Sequence, residues 1–157
     1  AVEPFVGYRR GNHPDSLVFE RIWATVSSSD THTLMELSRR LLDAIDKRNW
    51  SQYEELCEPT LTAFEPEAVG HLVEGLDFHA HYFPSTSPQN TRTSTISSPH
   101  VRLLGDVAVV TYVRLVQLTD DAGSSTAAME ETRVWQRQGD NWQHVHFHRS
   151  PAGHVRL

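Results

Sequence analysis

A chain of 157 residues, 38% apolar and 22% charged, has the size and composition of one folded domain. Its formal net charge of −6 excludes the clustered positive field that a nucleic-acid partner needs, and its 14 Lys and Arg residues are scattered. A single cysteine, Cys57, excludes an internal disulfide, and no apolar run approaches the ~20 residues that span a bilayer.

The opening "AVEPFVGYRR" lacks the basic, apolar, small-residue order of a signal peptide. With one cysteine, this leads us to expect a soluble protein of the cytoplasm. Residues 1–30 read as an N-terminal extension or linker, and residues 31–157 as the domain. Within the extension, "LVFERIWATV" has the pattern of a short docking helix or strand, and "SSSD" at 27–30 reads as a spacer. A calmodulin-target helix is basic and amphipathic. This segment offers only Arg21, balanced by Glu20, so a packed or disordered tail is the better reading.

In "THTLMELSRRLLDAIDKRNW", Thr33 and Glu36 have capping-box spacing, and Leu34, Leu37, Leu41 and Ile45 form one helical stripe. A second short helix follows in "SQYEELCEP" with its own Ser51/Glu54 box, stopped by Pro59. "TLTAFEPE" reads as a short strand. A third helix is expected in "VGHLVEGLDFHAHYF", where Leu72, Leu76, His79 and Phe83 share one face. "PSTSPQNTR" is a loop by composition.

The rest reads as strand. "TSTISSPHVRLL" is interrupted by Pro99, which suggests an edge position or a bulge. "DVAVVTYVRLVQL" is the strongest strand, "AMEETRVWQRQ" the next, "GDN" a hairpin turn, and "WQHVHFHR" closes the sheet. Helices followed by an antiparallel meander predict an α+β domain, a curved antiparallel sheet wrapped on a long N-terminal helix. On the central strand, Val107, Val109, Thr111, Val113 and Leu115 fall on one face. Ala108, Val110, Tyr112, Val116 and Leu118 fall on the other, with Arg114 among them. Both faces are apolar, yet one helix covers only one of them. A second copy of the chain is the natural lid for the other.

Alternation also places Trp142, His144, His146 and His148 on one face of the last strand, and Val145, Phe147 and Arg149 on the other. His144 and His148 are ~13 Å apart along a strand, too far for one zinc. The pair in "HAH" at 79–81 diverges on a helix, so no metal is expected and the histidines read as a polar, interfacial face. Arg149, Arg133 and Arg114 all point among apolar neighbours. A guanidinium cannot shed its charge, so each needs an anion. That anion is either a protein carboxylate (Glu65, Glu130, Glu131 or one from another subunit) or a small bound carboxylate.

The strings "AFEPEA", "LVEGLDFH" and "EETRVW", together with "SSPHVRLLGDVAVVTYVRLVQ" and "LMELSRRLLDAIDKRNWSQYEELCEP", resemble the association, or hub, domain of calcium/calmodulin-dependent protein kinase II. The likeness runs from about Thr33 to Ser150. It implies a cone-shaped NTF2-like (cystatin-like) fold and a non-catalytic, cofactor-free role. Its partner is itself, in two stacked rings of roughly a dozen or more subunits that gather linked kinase domains for trans-autophosphorylation. It also implies a cleft for small carboxylates resembling γ-hydroxybutyrate, to which His79, Arg133 and Arg149 correspond. Val113, Arg114 and Leu115 are the candidate interface or structural positions. The loop at 84–92 is shorter than in that family and carries Ser87 near the place of a tryptophan. The alternative is an enzyme of isomerase or dehydratase type on the same cone, with His79 as base and the arginines as electrostatic stabilisers.

Overall fold

The computed structural model describes residues 14–83 and 91–153, with side chains from residue 28 onward. Helix α1 (Pro14–Asp46) is followed by α2 (Trp50–Leu56), β1 (Cys57–Phe64), a 3-10 turn (Pro66–Ala68), β2 (Val73–Glu74) and α3 (Asp77–Ala80). Four long strands complete the chain: β3 (Thr91–Leu104), β4 (Val107–Asp120), β5 (Gly123–Gln138) and β6 (Asn141–Pro151). All six strands form one sheet in the order β2-β1-β6-β5-β4-β3. Neighbours are antiparallel except for β1 and β6, which run parallel.

The sheet folds around the C-terminal half of α1. Leu34, Leu41, Leu42 and Ala44 of α1 form one buried cluster with Ala108, Val110, Tyr112, Trp135, Trp142 and Phe147. This is the expected α+β arrangement, its packing driven by the leucine stripe of the helix. From Val107 to Val116 of β4 the burial alternates without a break. Ala108, Val110, Tyr112, Arg114 and Val116 are buried, while Val107, Val109, Thr111, Val113 and Leu115 are only partly covered. Pro99 lies in edge strand β3 beside a register shift between Ser97 and His100, where its missing N–H does no harm.

Several expected boundaries move. The helix expected from Thr33 begins at Pro14, so the stretch 27–30 is helical rather than a spacer, and Thr33 caps nothing. Serine disfavours a helix interior only weakly, and tertiary contact outweighs that. Asp30 binds Arg137 of β5 at 2.6 Å, and the Arg137 guanidinium lies 4.3 Å over the Trp142 ring. The docking element expected at 17–26 is part of the same helix, and its side chains lie outside the described residues. Helix α2 is capped by Asn49, whose side chain accepts from the Gln52 amide at 3.2 Å, two residues before the expected Ser51.

The third helix forms only as one short turn, α3. Upstream of it, Gly70 (φ +85°) and Gly75 (φ +76°) adopt left-handed conformations that end a right-handed helix. The Gly75 amide donates to the Leu61 carbonyl at 2.8 Å, and Val73 pairs with Ala63, so this segment joins the sheet instead. Leu72, expected on the apolar face, is exposed. His79 is buried, as the pattern predicts.

Candidate functional site

A bulge determines what β6 presents. Val134 pairs with His146 and Trp135 with His144, which leaves Val145 as the extra residue. The strand therefore changes faces halfway. Trp142, His144 and Phe147 are buried on the inner face, and Arg149 lies 14% exposed beside them. His146 and His148 turn outward. The three histidines thus do not share a face, and the expectation of one polar histidine row is corrected. The cause is a register shift that a strictly two-residue period cannot show.

His144 is fully buried, stacked against Phe147 and tilted against Trp135. Its Nε2 sits 3.3 Å from Arg133 Nη1 and its Nδ1 3.6 Å from Cys57 Sγ. A guanidinium only donates, so Nε2 is the acceptor and the ring is neutral with its proton on Nδ1. Burial, reinforced by the Arg133 charge, holds the His144 pKa well below the ordinary range. Burial likewise raises the Cys57 thiol to about 12, so this sulfur is an inert packing group.

Arg133 is 1% exposed. Its Nη2 donates to Glu131 Oε2 at 2.7 Å, and its Nε to the Tyr112 hydroxyl at 2.6 Å. Tyr112 in turn donates to Glu131 at 2.9 Å. Glu131 also faces Arg114 Nη1 at 3.5 Å, and Arg114 Nη2 reaches Asp46 at 3.0 Å. Asp46 then meets Arg92 of the edge strand at 3.3 Å. A chain of alternating charges thus crosses the inner face from His144 to β3. Burial works to raise the Glu131 pKa, but Arg133 and Arg114 outweigh it and hold the carboxyl below its usual range.

Beside this chain opens a cleft of about 390 Å³, its wall including Arg114, Arg133, Arg149, His79, Tyr53, Phe83 and Glu65. Arg149 Nη2 binds Glu65 at 2.9 Å and Glu67 at 2.5 Å. His79 Nε2 approaches Glu65 at 3.1 Å with poor alignment, so neither ring nitrogen completes a well-formed hydrogen bond within the protein. Burial again favours the neutral acid at Glu65, and His79 and Arg149 together overcome it.

The structure therefore brings His79, Arg133 and Arg149 to one cleft. Of the three residues named as interface or structural positions, Val113 and Leu115 face outward, whereas Arg114 faces the cleft and its carboxylates. Asp46, Arg92, Glu67 and Tyr112 belong to the site and were not singled out from sequence. Asp46 did carry a signal: an acid in the last turn of a helix opposes the dipole unless a cation answers it. Ser87 and most of its loop lie outside the described residues. Among the described residues no group of three or more His, Cys, Asp or Glu is placed to hold a metal ion.

On the outer face the strands line up in rows. Val109 pairs with Val134, Val134 with His146, and His146 with Thr62. In the next row Thr111, Thr132, His148 and Phe64 follow in register, Phe64 being 41% exposed. Val109, Thr111, Thr132, Val134 and His146 in these rows are only partly buried, and His148 is exposed.

The model of the calcium/calmodulin dependent protein kinase II association domain matches residues 18–153. The chain belongs to that family. It is 44% identical over 133 residues to the calcium/calmodulin-dependent protein kinase type II alpha chain of Drosophila melanogaster, which covers 82% of this chain but 25% of that relative. This sequence therefore corresponds to about a quarter of the relative's length. The hub homology domain of Chlamydomonas reinhardtii superposes with a TM-score of 0.74 at 46% identity, covering 79% of this chain and 99% of that one. A nuclear transport factor 2-like protein from Salmonella enterica, at 20% identity and a TM-score of 0.69 over 82% of this chain and 95% of its own, shares the fold. The association domain thus has the NTF2-like α+β architecture, and its family role is oligomerisation. Among the described residues no helix is long and apolar enough to cross a membrane.

Proposed function

We propose that this chain is a non-catalytic scaffold that assembles with copies of itself into a closed, two-tiered ring. The observation that carries this reading is the outer row Val107, Val109, Thr111, Val113 and Leu115, a mainly apolar face that remains only partly buried. An interface that buries the same patch on both partners closes as a two-fold pair, and a second, heterologous contact repeated around an axis closes such pairs into a ring. Where kinase domains are linked to the hub, the ring raises their effective concentration and favours phosphorylation of one by its neighbour. A reducing cytoplasm suits a protein whose one thiol is buried and unpaired. Native mass spectrometry tests the assembly: a species of many copies supports it, and a folded single copy contradicts it.

The cleft supports a second role on the same molecule, the binding of a small carboxylate. His79 lines the cleft with its Nε2 3.1 Å from Glu65, and Arg149 at 14% side-chain exposure is the most accessible of the three inward arginines. Arg133 contributes field rather than a free fork, because Glu131, Tyr112 and His144 already engage its nitrogens. Arg149→Gln is therefore the informative variant. Calorimetry with 4-hydroxybutyrate should show binding to the parent chain and a loss of about tenfold or more in the variant. Equal affinity in both would remove Arg149 from the binding role.

A further inference from the structure

We propose that Glu67 is the cleft's own surrogate anion, docked on Arg149 and competing with a small carboxylate for that guanidinium. This rests on reading the cleft as a carboxylate site. The charges around the cleft are unevenly matched. On one side three guanidiniums, Arg92, Arg114 and Arg133, face two carboxylates, Asp46 and Glu131. Arg48 also lines the cleft near Arg92, so cations outnumber carboxylates on that side. On the other side the single guanidinium of Arg149 faces both Glu65 and Glu67, one negative charge in excess. An entering anion is drawn by the first group and repelled by the second.

The two acids are not equivalent. Glu65 has a side chain 7% exposed and is flanked by His79 as well as Arg149, so it is part of the wall. Glu67 is 39% exposed, sits in the middle of the 3-10 turn Pro66–Ala68, and among the described residues pairs with Arg149 alone. It is the acid that leaves without breaking a second contact or exposing core. Both acids bind Arg149 through the same nitrogen, Nη2. A carboxylate arriving at the cleft therefore meets a guanidinium whose Nη2 is already engaged, and takes that nitrogen only when Glu67 swings into solvent. Glu67 sets how strong an anion must be to enter, while Glu65 keeps Arg149 compensated when Glu67 leaves.

The test is calorimetric titration of 4-hydroxybutyrate into the parent protein, Glu67→Gln, and Glu36→Gln, at one fixed ionic strength. Glu36→Gln removes the same charge from an exposed pair with Arg39 on α1. The expected result is about tenfold tighter binding to Glu67→Gln alone, as removal of one nearby like charge implies. Equal affinity for the parent and Glu67→Gln overturns the competition and leaves the carboxylate site standing. Weaker binding to Glu67→Gln also overturns it, since Glu67 would then be a ligand contact. An equal gain in Glu36→Gln reduces the effect to net charge and overturns it as well. Absence of binding to both the parent and Glu67→Gln overturns the carboxylate site and the competition together.

Discussion

Arg133→Ala should lower stability by about 3–5 kcal/mol, the usual consequence of leaving one member of a buried ion pair without its partner. Arg133 is 1% exposed and Glu131 2% exposed, so water cannot replace the lost charge. The variant strips Glu131 of its 2.7 Å contact and leaves it with Arg114 at 3.5 Å and the Tyr112 hydroxyl. It also removes the donor that His144 Nε2 accepts from, and the cation over the Phe147 ring. For a domain of this length the melting temperature should fall by about 10 °C or more. Adding Glu131→Gln to Arg133→Ala should cost less than the sum of the two single changes, because the second removes the charge that the first stranded. A melting temperature within about 2 °C of the parent would show that the pair contributes little. The same result explains why Arg133 is a poor probe of ligand binding: its removal disturbs the wall as well as the charge.

Val113→Lys should break the assembly into smaller species while leaving the chain folded. Val113 lies on the partly buried outer face of β4, opposite Glu130 on β5 and Ser97 on β3. A glutamate there would sit directly across from Glu130, and cross-strand repulsion would confuse loss of assembly with loss of fold. A lysine finds an opposite charge at Glu130, so the sheet is spared while a charge enters the docking surface. Burying even a paired charge in an interface takes both ions out of water at a cost of several kcal/mol per copy, and a closed ring repeats it at every contact. Light scattering should report a lower mass, with an unchanged far-ultraviolet circular dichroism spectrum. An intact assembly would place Val113 outside the interface.

Strand patterning was the most legible part of the sequence. The two apolar faces of β4 follow directly from alternation, and the structure reproduces them from Val107 to Val116, with Leu118 only partly buried. The inward arginines were legible for the same reason, since Arg114 and Arg133 keep phase with buried neighbours. What could not be read were changes of phase. One extra residue at Val145 turns His144 inward and His146 outward, and only the partner strand reveals it. The segment 69–83 has helical spacing at Leu76, His79 and Phe83, but Gly70 and Gly75 carry backbone angles that end a helix. The partner of each arginine was also hidden, because Asp46 and Glu67 lie far from Arg114 and Arg149 in sequence and meet them only once the sheet closes on α1.

Native mass spectrometry of the unmodified chain, diluted stepwise and paired with a check of secondary structure, bears most directly on whether β4 needs a copy of itself as its outer roof. We expect one large species containing many copies, which persists on dilution. A chain that stays folded at the mass of a single copy throughout would contradict this, because its outer valines would then be stable in water without a partner.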